Sequence, residues 1–274
     1  MGRRVLFLLA AALGVLSVSA ADDKGSKAKL RPGDAAYALP VPDVLSAMPL
    51  ADRPLPFVGE LRAIIRHIAA QQHGIDVSHY QGRIDWDRVA GDGNVKFAYI
   101  KATEGSDLVD EYYERNLRGA RRAGIPVGVY HFYRPNASLV TQLQNFRTTV
   151  EPWQHDLIPV IDVEKRGKGS LSQFQRGLRA FLKEVEQFYG VKPIIYTGVN
   201  FYAKYLEGQF TGYRFMVARY ADEFPGLSED VPIVLWQYSS TGRVDGIKGH
   251  VDRSVFLDRY SVADIMLPTT ERGR

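Results

Sequence analysis

Two carboxyls, Asp162 and Glu164, are the side chains of this sequence best placed to do chemistry. They stand at the end of the apolar run Leu157-Ile158-Pro159-Val160-Ile161. In an extended strand residues i and i+2 share a face, so both groups should project together from the strand's end. An ionised carboxylate raises the pKa of its neighbour, which lets one acid keep a proton near neutral pH and donate it. Cleavage of a glycosidic bond uses such a donor. The plain structural reading of Glu164 is a salt bridge, with Lys101 or Arg219 as partner.

A strand that ends in this way needs neighbours to form a site, and the pattern after His73 supplies them. Apolar strands are predicted at 74–77, 95–102, 126–132, 157–163, 192–197, 214–220 and 233–238, with a short eighth near Val251. Most are continuous apolar runs, as for parallel strands covered on both faces. Helical patterns fall between them at 111–123, 138–150 and 172–189, the last carrying Phe174, Leu178, Phe181, Leu182, Val185 and Phe188 on one stripe. Strands alternating with helices over roughly 200 residues predict an α/β barrel, with an open doubly wound sheet as the alternative. In a barrel the site lies at the C-terminal ends of the strands. Asp76, Lys101 with Glu104, His131, Asp162 with Glu164, Tyr196, Arg219 with Tyr220, Trp236-Gln237-Tyr238 and Asp252 all fall at or near such predicted ends.

The chain of 274 residues, 45% apolar, holds one large core and is marginal for two catalytic domains. Arg3 and Arg4 precede an apolar run from Val5 to Val18 and then Ser19-Ala20-Ala21-Asp22. That is the layout of a secretory signal peptide over 1–20, and the run is shorter than the ~20 residues of a spanning helix. Export to the periplasm or the medium is expected, without stable membrane insertion after cleavage. Six of the fourteen prolines lie between Pro32 and Pro56, so the stretch from 21 to 72 reads as a linker. Leu61, Ile64, Ile65, Ile68 and Ala69 add a short amphipathic helix at its end. A catalytic barrel over 73–260 and a tail over 261–274 complete the division.

The absence of Cys excludes disulfides and a lipidated Cys anchor. The net charge of +4 drops to +2 without Arg3 and Arg4, too little to argue for nucleic acid. Gly167-Lys168-Gly169-Ser170 lacks the spacing of a phosphate-binding loop, and there is no serine-nucleophile elbow. His131 has no second His or Cys at ligand spacing and reads as a structural histidine, with no metal. The chemistry on offer is carboxylate chemistry without a cofactor.

Several stretches carry a family resemblance. Gly74-Ile75-Asp76-Val77-Ser78, Gln81-Gly82, Ile84-Asp85-Trp86 and the run from Phe97 to Gly105 resemble the opening of glycoside hydrolase family 25. The run Ala123 to Phe132, Asp162-Val163-Glu164, Ile195-Tyr196-Thr197, Trp236-Gln237-Tyr238, Val244-Asp245-Gly246-Ile247 and Val251-Asp252 continue it in the right order, to about Phe256. The family comprises lysozymes that cut peptidoglycan between N-acetylmuramic acid and N-acetylglucosamine. The resemblance implies a flattened β/α barrel of about eight mostly parallel strands with fewer helices than strands. It also implies peptidoglycan glycan strands as the partner, and a monomer is expected.

Carried over to this sequence, the resemblance makes Glu164 the acid/base catalyst, Asp162 its partner and Asp76 the aspartate of the first strand. Asp245 and Asp252 both stand in the late motif; Asp252, after the apolar pair that reads as the eighth strand, is preferred. Two roles remain open for Asp162: nucleophile, or the group that orients a substrate acetamido whose own oxygen attacks. Asp76 would bind sugar hydroxyls or tune Glu164, against a plain role capping the turn at Ser78. Tyr130, Tyr196, Trp236 and Tyr238 offer faces to sugar rings, or pack in the core. Lys101 and Glu104 would bind substrate or pair with each other.

Overall fold

The computed structural model describes residues 72–221, 224, 232–257 and 260–268. The expected leader and the linker with its amphipathic helix fall at 1–71, outside the described residues. Nine strands are present among the described residues: β1 His73–Val77, β2 Val95–Glu104, β3 Leu108–Val109, β4 Val127–Phe132, β5 Val160–Asp162, β6 Ile194–Gly198, β7 Phe215–Ala218, β8 Ile233–Gly242 and β9 Val251–Phe256. Their order is β1-β9-β8-β7-β6-β5-β4-β2, and β1 pairs with β2 to close an eight-stranded barrel. β3 is a short antiparallel flap on the end of β2. Every barrel pairing is parallel except the two made by β9. Among the described residues five helices accompany the strands: α1 Trp86–Gly91, α2 Tyr113–Arg122, α3 Leu139–Thr149, α4 Leu171–Tyr189 and α5 Val199–Phe201, the last running on into a π-helical turn at Tyr202–Leu206. The expected mostly parallel α/β barrel with fewer helices than strands is therefore present. Among the described residues no helix is long and apolar enough to cross a membrane.

Strand alternation sorts the apolar residues into two shells. Ile75, Val77, Ala98, Ile100, Val129, Ile161, Ile195 and Val217 face outward and bury against the helical stripes of Leu117, Ala120, Phe146, Leu178, Phe181, Leu182 and Val185. The inner shell is Phe97, Tyr99, Leu157, Ile158, Val160, Ile194, Met216, Leu235 and Phe256. Space for its rings comes from glycines on neighbouring strands. A Cβ at Gly74 would lie 2.2 Å from the Phe97 ring, and one at Gly128 would lie 2.4 Å from the Tyr99 ring. The long helix α4 is held at both ends: Ser170 and Gln173 form a capping box, and Gly190 takes the left-handed conformation that stops it.

Four differences from the sequence-based expectation have local causes. β5 starts at Val160 rather than 157, because Pro159 has no N–H for the ladder and the backbone N–H groups of Asp156 and Leu157 both turn to the Val127 carbonyl. Residues 261–268, expected as tail, close the barrel's lower end instead. Ser261 caps a 3-10 turn over Val262–Ile265 that places Ile265 in the inner shell, and the Ile158 N–H donates to the Ile265 carbonyl at 2.8 Å. The eighth barrel strand does not end at Asp252 but begins beside it. Because β9 runs antiparallel, its first residues lie next to the C-terminal end of β1, with Asp252 opposite Asp76. Finally, α1 and α5 were not predicted from periodicity; six and three residues are too few to show a helical period.

Candidate active site

The inner shell changes character two residues further along each strand. On the same inward-facing rows, Gly74 is followed by Asp76, Gly128 by Tyr130, Val160 by Asp162, Ile194 by Tyr196 and Leu235 by Gln237. On antiparallel β9 the row runs backward, from Phe256 to Ser254 and Asp252. The barrel is thus apolar below and acidic above, and the acids share one end.

Hydrogen bonds and electrostatic coupling tie this end together. The Asp76 carboxyl accepts from Gln237 Nε2 at 3.0 Å and from Ser254 Oγ at 3.1 Å, both on Oδ2. Burial raises its pKa to about 7, aided by the charge of Asp252 and opposed by those two bonds. Asp252 is itself raised to about 6, by burial and then by Glu164. Asp162 is buried, and its Oδ1 has no hydrogen-bond partner. Its pKa is held well above the carboxylate range by burial first and Glu164 second, while Lys101 pulls the other way. Glu164 follows directly, exposed where Asp162 is buried. The surrounding walls desolvate its carboxyl enough to raise its pKa against the pull of Lys165 and Lys101. The plain structural alternative, a salt bridge from Glu164 to Lys101, is not made: Lys101 Nζ is spent on Glu104 at 2.6 Å.

Tyr130 and Tyr196 lie on this end with the acids. Burial, and then the charge of Asp162, raises the phenol pKa of each. Tyr196 donates its hydroxyl to Gln237 Oε1 at 2.9 Å. Lys101 and Glu104 pair with each other, as the structural alternative had it, and Glu104 also receives Arg134. Burial works to raise the Glu104 pKa, but the bonds from Lys101 and Arg134 outweigh it and the net shift is downward. Lys101 nonetheless acts on Asp162 and Glu164 through space.

Trp236 and Tyr238 are not brought to the acids. They flank inward-facing Gln237, and alternation turns them to the other face. Trp236 is buried, donating Nε1 to the Arg219 carbonyl at 2.8 Å and lying edge-on to Phe224. Tyr238 meets His73 through its hydroxyl at 3.1 Å. Of the two late aspartates, Asp252 joins the cluster, while Asp245 receives Arg88 Nε of α1 at 3.0 Å in an exposed ion pair. His131 is buried with both ring nitrogens engaged, by Thr103 at 2.7 Å and Gln142 at 3.0 Å, and burial lowers its pKa to about 4.

Two further residues hold the site: Gln237, present in the motif but given no role by it, and Ser254, which no motif marks. The signal for Gln237 was available: it lies two after Leu235, on the inward row. Ser254 was not legible, since it requires the antiparallel sense of β9. A cleft of about 580 Å³ opens beside Glu164, lined also by Val199, Asn200, Phe201, Arg219 and Tyr220. Asn200 and Phe201 belong to α5.

A closed barrel whose strand ends gather four coupled carboxyls next to an open cleft holds the groups that acid/base chemistry uses. The chain belongs to glycosyl hydrolases family 25, whose profile matches residues 75–247. It is 45% identical over 188 residues to "Uncharacterized protein YegX" of Escherichia coli K12, covering 67% of this chain and 69% of that protein. Similarity to Lysozyme M1 of Streptomyces globisporus is 38% over 200 residues, 67% of each chain. The solved bacterial lysozyme of Streptomyces coelicolor superposes with a TM-score of 0.63 at 34% identity, over 71% of this chain and 94% of that one.

Proposed function

We propose that this protein is a muramidase, cleaving the β-1,4 bond between N-acetylmuramic acid and N-acetylglucosamine in peptidoglycan with retention of configuration. The observation that carries the reading is the asymmetry of the central pair. Glu164 is exposed on the cleft wall with a raised pKa, while Asp162 is buried beside it with an unpartnered Oδ1. An accessible acid with a raised pKa suits proton donation. Asp162 is 8% exposed, and the open part of its carboxyl suits acceptance from a substrate N–H.

In this reading Glu164 gives its proton to the glycosidic oxygen as the bond to the anomeric carbon breaks. The acetamido carbonyl oxygen bonds to that carbon from the opposite face, and the acetamido N–H donates to the Asp162 carboxylate. That new donor favours the ionised form of Asp162, so binding itself sets its charge. Water then attacks the anomeric carbon, its bond to the acetamido oxygen breaks to restore the acetamido group, and the water gives up a proton to Glu164. Lysozymes among the relatives support this substrate. The leader-like segment at 1–20 supports export to the periplasm or the medium.

The test is mass spectrometry of borohydride-reduced fragments after the full-length protein acts on peptidoglycan. Reduced muramic acid ends from the wild type, and none from Glu164→Gln, are expected. Glucosamine ends would redirect the bond assignment, and wall binding without fragments would identify a silent binding protein.

A further inference from the structure

The carboxyl of Asp76 is surrounded by groups that disfavour its charge. Asp252 faces it from β9, and the carboxyl of Asp162 on β5 is coupled to it. The phenols of Tyr99 on β2, Tyr130 on β4 and Tyr196 on β6 also feel it. None of these is a cation. What favours the anion is two hydrogen bonds, and the stronger influence is that of Gln237.

Gln237 is itself held in place. It is 2% exposed, and its Oε1 receives the hydroxyls of Tyr196 at 2.9 Å and Tyr220 at 3.2 Å. With the carbonyl end of the amide occupied by two donors, the Nε2 end is turned to Asp76. Tyr196 comes from β6 and is half-buried; Tyr220, 58% exposed, follows β7 and forms part of the cleft wall beside Glu164. The amide therefore links the cleft wall to the enclosed carboxyl across the barrel end.

We propose that Gln237 is the positioning residue of the site: it orients Asp76 and sets the pH at which Asp76 joins its neighbour Asp252 in carrying negative charge. Without that donor the deeper carboxyl keeps its proton through the neutral range, and Asp252 alone of the two is charged there. The proposal rests on the muramidase reading for its consequence in catalysis, but not for its effect on Asp76.

The test is a carbon-13 NMR titration of the aspartate carboxyls in the substrate-free, full-length protein, with Asp76 assigned through Asp76→Asn. In Gln237→Leu the Asp76 titration should move upward by about one pH unit, the scale of one hydrogen bond to a charged group. Ser254→Ala should move it less, in the same direction. Gln237→Met keeps the length of the side chain, carries neither donor nor charge and should also move the titration upward, so the test stands even if the leucine variant fails to fold. In activity assays the acid limb of kcat/KM should shift with the titration while KM changes little. An unmoved Asp76 titration in both variants would overturn the proposal, as would an equal loss of activity at every pH. If the wild type releases no muramic acid ends, the functional reading fails while the titration still decides the role of Gln237.

Discussion

The lower and upper halves of the barrel interior are built by the same strands on the same inward rows, and they are chemically opposite. Below, Phe97, Tyr99, Val160, Ile194, Met216, Leu235 and Phe256 pack with Ile265 from the C-terminal turn. Above, Asp76, Asp162, Tyr130, Tyr196, Gln237, Ser254 and Asp252 form a hydrogen-bonded and electrostatically coupled cluster. One step of two residues separates them. The lower half supplies stability through burial, and the upper half concentrates like charges that cost stability, the arrangement common at functional sites. A strand's inward row serves both because its two ends meet different solvent and different neighbours.

That division is open to direct attack. The largest separation is expected from Glu164→Gln, which should reduce turnover about 100- to 10,000-fold while leaving thermal unfolding nearly unchanged. A matching fall in melting temperature would show the upper half to be structural. Phe256→Ala strikes below, where the ring is 1% exposed and lies 5.1 Å from that of Phe97. It should lower stability in denaturant by about 3–5 kcal/mol, with turnover per folded molecule retained.

A smaller effect with a definite sign is expected at Asp76. Its pKa of about 7 in the folded protein exceeds the ordinary value of 3.8, so the folded state keeps a proton that the unfolded chain releases. Stability contributed by this group is therefore highest below about pH 4 and falls as pH climbs to about 7. Asp76→Asn removes the loss and keeps an oxygen for Gln237 and Ser254. Denaturant titrations should show the variant more stable than wild type at pH 8, by up to about 4 kcal/mol, with the gain vanishing near pH 4. A gain of the same size at both pH values would remove ionisation as its cause. Smallest is Asp245→Ala: the ion pair with Arg88 has both side chains more than half exposed, so a change under about 1 kcal/mol is expected. A loss of activity there would return Asp245 to the site.

Much of this was legible before folding. The pair Asp162 and Glu164, the alternation of strands and helices, and the stripe on α4 are local patterns, and periodicities of two and 3.6 residues report them directly. Short elements escaped for the same reason, since α1 and α5 have too few residues to show a period. Trp236 and Tyr238 were drawn to the cup by their motif, whereas parity on β8 assigns the inward place to Gln237.

The amino-acid sequence by itself determined which strands exist, which of their residues share a face, and that the acids cluster toward strand ends, because these follow from backbone geometry within one element. Only the tertiary structure decided that β9 runs backward to set Asp252 opposite Asp76, that Ser254 and Gln237 hold one carboxyl between them, and that residues 261–268 seal the barrel from below. Each of those joins residues far apart in the chain, with Asp76 bonded to Gln237 across 161 positions and to Ser254 across 178. Contacts of that range are selected by the closing of the sheet and the burial it allows, and no local pattern encodes them.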